Sequence, residues 1–537
     1  MTLQAVDAQF VARLGTAFAA QLPDYLPRQR WFGSKARQIH SVQLSECIRV
    51  PLPGTFALIA FARVEFVEGA GETYVLPLIA SAPQTAAPAD SVVVRVPVLE
   101  PPSELPLLDA LASEEFLAAI LNLMLKNESL AGADGELRAS PEPALCEQNL
   151  GSADSLHPRL LKGEQSNTSI VYGDRLILKF FRRVEEGLNP DEEIGHFLTA
   201  VAHFANVPPL CGCIKYHPRD GKAATLGLLQ GYVPNHGDAW RFTVESLVEL
   251  FASLDHPIGQ AVSGSKQPAI LSAKGADGLS GELAKQLQLI GLLAKRTAEL
   301  HLALASSSAA PGFAPEPFTL EFREGLDGVF HDLAVQNFKT LRAKLAELPE
   351  SAGALAKEVL ALEDDALLVL HSVLEREIGA VRTRIHGDYH LGQVLFTGSD
   401  FFIIDFEGEP ARPLNERRNK RSPLQDVAGM LRSFHYAARS ASMAAQDRLA
   451  RSHQPDGHVD KLAAQWRALA SAEFLRNYRL AAGDARFLPS SSHEFAALLR
   501  VHVLEKAIYE LGYELNNRPS WVAIPLEGIR EILTTKS

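Results

Sequence analysis

Two short apolar runs, "QVLF" (393–396) and "FFIID" (401–405), stand on either side of Gly398-Ser399-Asp400. Runs of this length around a glycine-containing break predict an antiparallel hairpin. Folded symmetrically about Ser399, that hairpin places Gln393 opposite Asp405. An amide oxygen and a carboxylate on facing positions suit one hard cation such as Mg²⁺, which takes oxygen ligands and keeps several waters.

The flanks narrow the chemistry. "RIHGDYHLG" precedes the hairpin, so Asp388 sits five residues before Gln393 on the turn entering the first strand. Phosphotransferases of the protein-kinase type use an Asp there to accept the proton of the attacking hydroxyl, with metal ligands at the hairpin's ends. The usual ligand at the position of Gln393 is Asn, so the donor oxygen here reaches one methylene farther. Lys179, inside "LILKFF", supplies a second marker, because a buried ammonium needs a partner. Glu193, in the first turns of the next expected helix, is the carboxylate expected to pair with it and orient nucleotide phosphates. Neither G-x-G-x-x-G nor G-x-x-x-x-G-K-[ST] occurs. In the place of a glycine loop stands "GEQSNTSIVYGD", where Gln165, Ser166, Asn167 and Thr168 offer short polar side chains to phosphate oxygens.

Length and charge set the frame. A chain of 537 residues is too long for one ordinary core and predicts two to four domains or subdomains. A net charge of −12 argues against a nucleic-acid binder. No uncharged apolar run reaches membrane-spanning length, and the first residues lack a basic leader, so a cytoplasmic location is expected. Cys211-Gly-Cys213 is too tight for a zinc pair, and Cys47, Cys146, Cys211 and Cys213 are expected to be reduced thiols.

Texture then divides the chain. Residues 1–90 mix a helix with strand-like runs and predict an N-terminal cap; 91–160 predict an intermediate subdomain or linker. Residues 161–234 are β-rich, with "NTSIVY" and "RLILKFF" joined by Gly173-Asp174, and "NPDEEIGHFLTAVAHF" predicts a helix capped by Asn189 with Pro190 at its first position. Residues 235–537 are dominated by long amphipathic patterns, after a Gly/Ser-rich stretch at 258–281 and broken by the hairpin. The Pro- and Ala-rich "SAPQTAAPADS" is expected to be a linker or long loop.

Taken in order, "QRWFGSKAR", "GEQSNTSIVYGDRLILKFF", "HGDYHLGQVLF", "DFEGEPARP", "SPLQDVAGMLRSFHYAA" and "YELNNRPSW" resemble the maltokinases, from about Arg28 to the C-terminus. Those bacterial enzymes are related to aminoglycoside phosphotransferases and occur alone or fused to trehalose synthase. The stand-alone form is expected here. The resemblance implies an α+β, bilobal protein-kinase-like (aminoglycoside phosphotransferase-like) fold with an N-terminal α/β cap subdomain. It also implies ATP and Mg²⁺ as cofactors, and transfer of the γ-phosphoryl group to the anomeric hydroxyl of maltose. By position, Asp388 is the base, Gln393 and Asp405 hold metal, and Lys179 with Glu193 orients phosphates. Backbone groups from Gln230 to Val233 in "LLQGYV" would bind adenine.

For the sugar, the sequence offers His390, Glu407, Glu409, Arg412, Tyr513, Glu514, Asn517 and Trp521, since a disaccharide site combines hydroxyl-binding polar groups with an aromatic face. A helix stop reads "YELNNRPSW" equally well, and His390 equally well braces the catalytic loop. Asp426, in the first turn of an expected helix, is expected to support that loop. "RWFGSKAR" reads either as cap core or as a reach toward phosphate or a partner. Maltose, another sugar or aminosugar such as glucosamine, or an aminoglycoside-type acceptor all remain open, as do docking on trehalose synthase and a nucleotide-binding regulator without turnover.

Overall fold

The computed structural model describes residues 7–80, 91–97, 104–148, 156–161, 167–253, 281–375, 377–410, 412–449 and 457–535. The chain divides into two compact units, residues 1–234 and 235–537. The "SAPQTAAPADS" stretch lies almost entirely outside the described residues, as does the Gly/Ser-rich 258–281 segment.

The first unit holds two sheets. One runs in the order Ile39–Leu52, Thr55–Phe66, Glu72–Ala80, Glu104–Asp109, Val92–Pro97, and the short strand Arg183–Val184 also pairs with Glu72–Ala80. Leu52 pairs with Thr55, so Pro53-Gly54 makes a two-residue turn, and Gly54 supplies the positive φ of 71° that such turns require. The run "FALIAFA" within Thr55–Phe66 is apolar throughout because that strand is buried on both faces. Helix Ala8–Tyr25, capped by the Asp7 carboxylate at 2.7 Å from Phe10 N, turns Phe10, Leu14, Ala17, Phe18 and Leu22 onto this sheet's core. Each of the larger of these side chains contributes about 1.5–3 kcal/mol by leaving water.

The second sheet runs Ser129–Ala131, Gly135–Pro141, Leu210–Pro218, Ala224–Gly231, Leu176–Phe181, Asn167–Tyr172, Pro158–Leu160. The stretch 91–160, read from sequence as a subdomain of its own, is thus shared. Its first strands complete the first sheet and its last ones build the second, because each supplies alternate apolar residues to the nearer core. The Gly173-Asp174 turn forms as expected, both residues at positive φ. Asn189 caps helix Pro190–His196 by accepting from Asp191 N at 2.8 Å.

The second unit is helical around one hairpin. Its longest described helices are Ala239–Ser253, Glu282–Leu304, Leu320–Lys344, Leu424–Leu449, His458–Ala482 and Ser492–Asn517. The long amphipathic pattern "AKEVLALEDDALLVLHSVLEREI" falls in two helices, Glu350–Leu360 and Glu363–Glu375. The break falls where Glu363, Asp364 and Asp365 meet the positive end of a new helix. Among the described residues no helix is long and apolar enough to cross a membrane. All four cysteines are free; burial pushes the Cys211 and Cys213 thiols up to about 12, so they carry no thiolate near neutrality.

Candidate active site

The hairpin forms from Val394–Phe396 and Phe401–Ile403, but its register differs from expectation by one residue. Phe396 pairs with Phe401 across a four-residue turn closed by Thr397 and Asp400, rather than a three-residue turn centred on Ser399. Gln393 therefore faces Ile404, whose N–H donates to its carbonyl at 3.0 Å, and Asp405 falls one residue beyond the pairing. Asp405 has a φ of +67°, a left-handed backbone that aspartate tolerates better than most residues. Arg296 fixes the turn from below with a forked contact to Asp400 at 2.8 and 2.7 Å.

That kink brings one carboxylate oxygen of Asp405 within 4.8 Å of one of Glu407. The two carboxylates offer oxygen donors, which fit Mg²⁺ and not a soft metal. Glu407, read from sequence as a sugar contact, stands with the metal-binding candidates.

Asp388 lies on a loop held by Asp426. The Asp426 carboxylate accepts from His386 N at 2.8 Å and Gly387 N at 2.9 Å, and from His301 Nε2 at 3.0 Å. Burial opposes the charge on Asp426, but the His301 hydrogen bond and the loop amides hold its carboxyl below the usual range. Gly429 passes so close to Tyr389 that a Cβ there would meet the Tyr389 carbonyl at 2.5 Å. His390 accepts from Gly392 N through Nδ1 at 3.0 Å, which leaves Nε2 as the protonated nitrogen of the neutral ring, 3.9 Å from Asp388 Oδ2. The ring braces the loop.

Beside Asp388 is a pocket whose polar lining includes Glu409, Arg412, Glu505, Lys506 and Tyr509. Lys506 Nζ lies 3.5 Å from Asp388 Oδ1 and 3.6 Å from Glu409 Oε2, and Tyr509 donates to Glu409 Oε1 at 2.5 Å. Burial opposes the charge on Lys506, yet Asp388, Glu409 and Glu510 outweigh it and raise its pKa above the ordinary lysine value. Arg412 is 3.9 Å from Glu505 Oε1, while Glu505 Oε2 is buried without a hydrogen-bond partner. Burial raises the Glu505 carboxyl against the pull of Arg412 and Lys506.

Of the sequence-derived sugar candidates, Glu409 and Arg412 line this pocket; Tyr513, Glu514, Asn517 and Trp521 do not. Glu514 is buried and occupied by Arg518 at 2.7 Å and Tyr436 at 3.0 Å. Trp521 stacks on Tyr436 with ring centroids 6.2 Å apart, Asn517 donates back to the Tyr513 carbonyl, and Tyr513 is exposed. Lys506, Tyr509 and Glu505 were missed by sequence reasoning. The available signal was a polar seam at helical spacing, His502, Lys506, Tyr509 and Tyr513, on a helix otherwise packed with leucine.

His502, on the same helix, is buried with neither ring nitrogen hydrogen-bonded, and burial followed by Arg421 pushes its imidazole down to about 4. An unfolded histidine titrates near 6.5, so protons favour the unfolded chain as pH falls from about 6.5 to about 4. The expected loss between pH 7 and pH 5 is about 2 kcal/mol, read from urea midpoints. His502→Phe should flatten that slope; an unchanged slope would show that the acid sensitivity lies elsewhere.

In the first unit, Lys179 Nζ contacts Asp191 Oδ2 at 2.8 Å, so Asp191 is a partner that sequence reasoning passed over in favour of Glu193, two residues along the same helix. Glu192 is committed to Lys215 and to the Thr225 hydroxyl at 2.7 Å. Thr168 sits in the strand opposite Phe180 with its Oγ1 accepting from Arg182 Nε at 3.1 Å, and Asn167 pairs opposite Phe181. Gln165 and Ser166 lie outside the described residues. Gln230 is in the strand Ala224–Gly231, paired with Ile177, and Val233 follows two residues beyond its end.

Residues 25–111 match the maltokinase N-terminal cap domain family. A glucosamine kinase of Streptacidiphilus jiangxiensis is 24% identical over 414 residues, 76% of this chain and 80% of that protein. A glucosamine kinase of Mycolicibacterium smegmatis is 23% identical over 378 residues, 67% and 76% of the two chains. A solved glucosamine kinase in complex with glucosamine, ADP and inorganic phosphate superposes with a TM-score of 0.59 at 17% identity, covering 96% of this chain and 97% of that one. Residues 25–111 thus resemble a maltokinase cap domain, and the chain shares the α+β fold of that solved kinase along nearly its whole length.

Proposed function

We propose that the protein is an ATP-dependent sugar kinase that phosphorylates a neutral acceptor, maltose at its anomeric hydroxyl, to give maltose 1-phosphate and ADP. Asp388 takes the hydroxyl proton as the sugar oxygen bonds to the γ-phosphorus and the bond to the β-bridging oxygen breaks, leaving ADP. Lys179 with Asp191 and Glu193 orients the phosphates, and the backbone from Gln230 to Val233 receives adenine. Asp405, Glu407 and Gln393 would hold Mg²⁺, which when bound supplies countercharge to the phosphate oxygens.

The observation that carries the acceptor class is Lys506. Its ammonium stands between Asp388 and Glu409, the carboxylates an aminosugar would use. With both already countered by a buried cation, the pocket suits hydroxyls, and an acceptor ammonium would meet a like charge. Glucosamine is the second reading, favoured by the names of the relatives.

ADP release across maltose, glucose, glucosamine and an aminoglycoside, with the product identified by NMR, separates the two. Turnover of maltose to the 1-phosphate with little on glucosamine is expected. Strong activity on glucosamine and none on maltose would overturn the acceptor assignment; no turnover on any sugar would overturn the kinase reading.

A further inference from the structure

The motif "RWFGSKAR" has no place in the chemistry above, yet its side chains converge on one short segment of the first unit. Arg182 and Arg183 follow directly on the strand Leu176–Phe181 that carries Lys179. Arg182 is 3% exposed. Its Nη2 donates to Asp109 Oδ2 at 2.5 Å, its Nε donates to Thr168 Oγ1 at 3.1 Å, and its guanidinium carbon lies 5.1 Å from the Trp31 ring centroid. The Arg182 carbonyl accepts from Val75 N at 2.8 Å, and Arg183 pairs with Tyr74 across the strands.

Arg183 meets the same motif from the other side. Its Nη1 is 3.6 Å from Glu72 Oε1, and Glu72 also accepts from Ser34 Oγ at 2.9 Å, Arg37 Nη1 at 3.3 Å and Tyr74 OH at 2.7 Å. Phe32 packs on Tyr74 with centroids 5.0 Å apart. Trp31 therefore faces Arg182, and Ser34 and Arg37 share the Glu72 carboxylate with Arg183, at the exit of the lysine strand. Arg182 then reaches across to Thr168, the residue two places after Ser166. A buried guanidinium shared by a carboxylate, a hydroxyl and an indole face is a costly arrangement for packing alone, since truncating any partner strands a charge.

We infer that the cap's "RWFGSKAR" motif is a positioning device for the nucleotide: through Arg182 and Arg183 it fixes the strand bearing Lys179 and, through Thr168, the neighbouring strand Asn167–Tyr172. Arg182 is then a positioning residue, acting through Thr168. This rests on the reading of Lys179 as the residue that orients the nucleotide phosphates.

The experiment measures ATP and sugar KM separately for Trp31→Leu, Arg182→Lys and Arg182→Met, each with its thermal midpoint. ATP KM is expected to rise about 5- to 50-fold, as loss of a charge-assisted hydrogen bond would give, with sugar KM unchanged. Arg182→Lys should fall between wild type and Arg182→Met. A purely structural role would lower the midpoint and leave ATP KM alone. Should Arg182→Met fail to fold, Trp31→Leu and Arg182→Lys decide. Folded variants with wild-type ATP KM overturn the inference. A control with Lys179→Ala separates the two levels: an unchanged ATP KM there removes the phosphate-orienting reading and the inference with it. A raised KM there with no effect at Trp31 and Arg182 removes the inference alone.

Discussion

Asp388→Asn is expected to lower turnover by about 10²- to 10⁴-fold, the range for removal of a positioned general base, while ATP still binds with near-normal affinity. The substitution is isosteric, and the loop around it is held by contacts that do not involve the Asp388 side chain: Asp426 on the His386 and Gly387 amides, and Ser433 Oγ on Leu391 N at 3.1 Å. The loop should therefore keep its shape. What changes is proton affinity, since a neutral amide cannot take the hydroxyl proton as the phosphoryl group transfers. Lys506 loses its contact to the Asp388 carboxylate but keeps Glu409 at 3.6 Å and the influence of Glu510, so sugar KM should move by much less than kcat. Single-turnover ADP release, with nucleotide binding followed independently, checks this. Near-normal turnover in a folded Asp388→Asn protein would remove Asp388 as the base.

The parts of this site that were legible in the sequence are those built from local order. "QVLF", a glycine turn and "FFIID" announce a hairpin, and Asn189-Pro190 announces a helix start, because strand alternation and capping act over a few residues. The register was not legible. Whether the turn takes three residues or four depends on Asp400, whose backbone closes on Thr397 and whose carboxylate is claimed by Arg296, 104 positions away. The same limit explains Lys179. A lysine within an apolar strand signals a carboxylate partner, but choosing among Asp191, Glu192 and Glu193 requires knowing which face of the helix meets the strand. Lys506 was further out of reach, since its contacts to Asp388 and Glu409 depend on where a 26-residue helix lies. "YELNNRPSW" shows the converse: polar and aromatic residues at a helix end looked like a sugar wall, and Glu514, Arg518 and Tyr436 satisfy one another there.

Asp426→Ala is expected to cost about 3–5 kcal/mol of stability, the range for removing one partner of a buried charged network, and to abolish most activity in whatever fraction folds. Asp426 is 1% exposed and its two oxygens satisfy three donors: the His386 and Gly387 amides and His301 Nε2. His301 is itself fully buried and meets Tyr478 OH through Nδ1 at 2.8 Å, so Tyr478, His301 and Asp426 form one chain ending on the loop that carries Asp388. Alanine leaves the His386 and Gly387 amides and an imidazole N–H without the carboxylate that pairs them. The loop that presents Asp388 then loses the contact that fixes Gly387, which already holds a φ of +87°. The carboxyl's lowered pKa adds a pH signature of definite sign. A depressed carboxylate contributes stability above its unfolded pKa and loses it as pH falls through the folded value, so Asp426→Ala should be less acid-sensitive than wild type below the usual carboxylate range. Urea unfolding at neutral and acid pH, paired with kcat on the folded fraction, reads both effects. A variant with wild-type midpoint and turnover would show that the loop stands without Asp426.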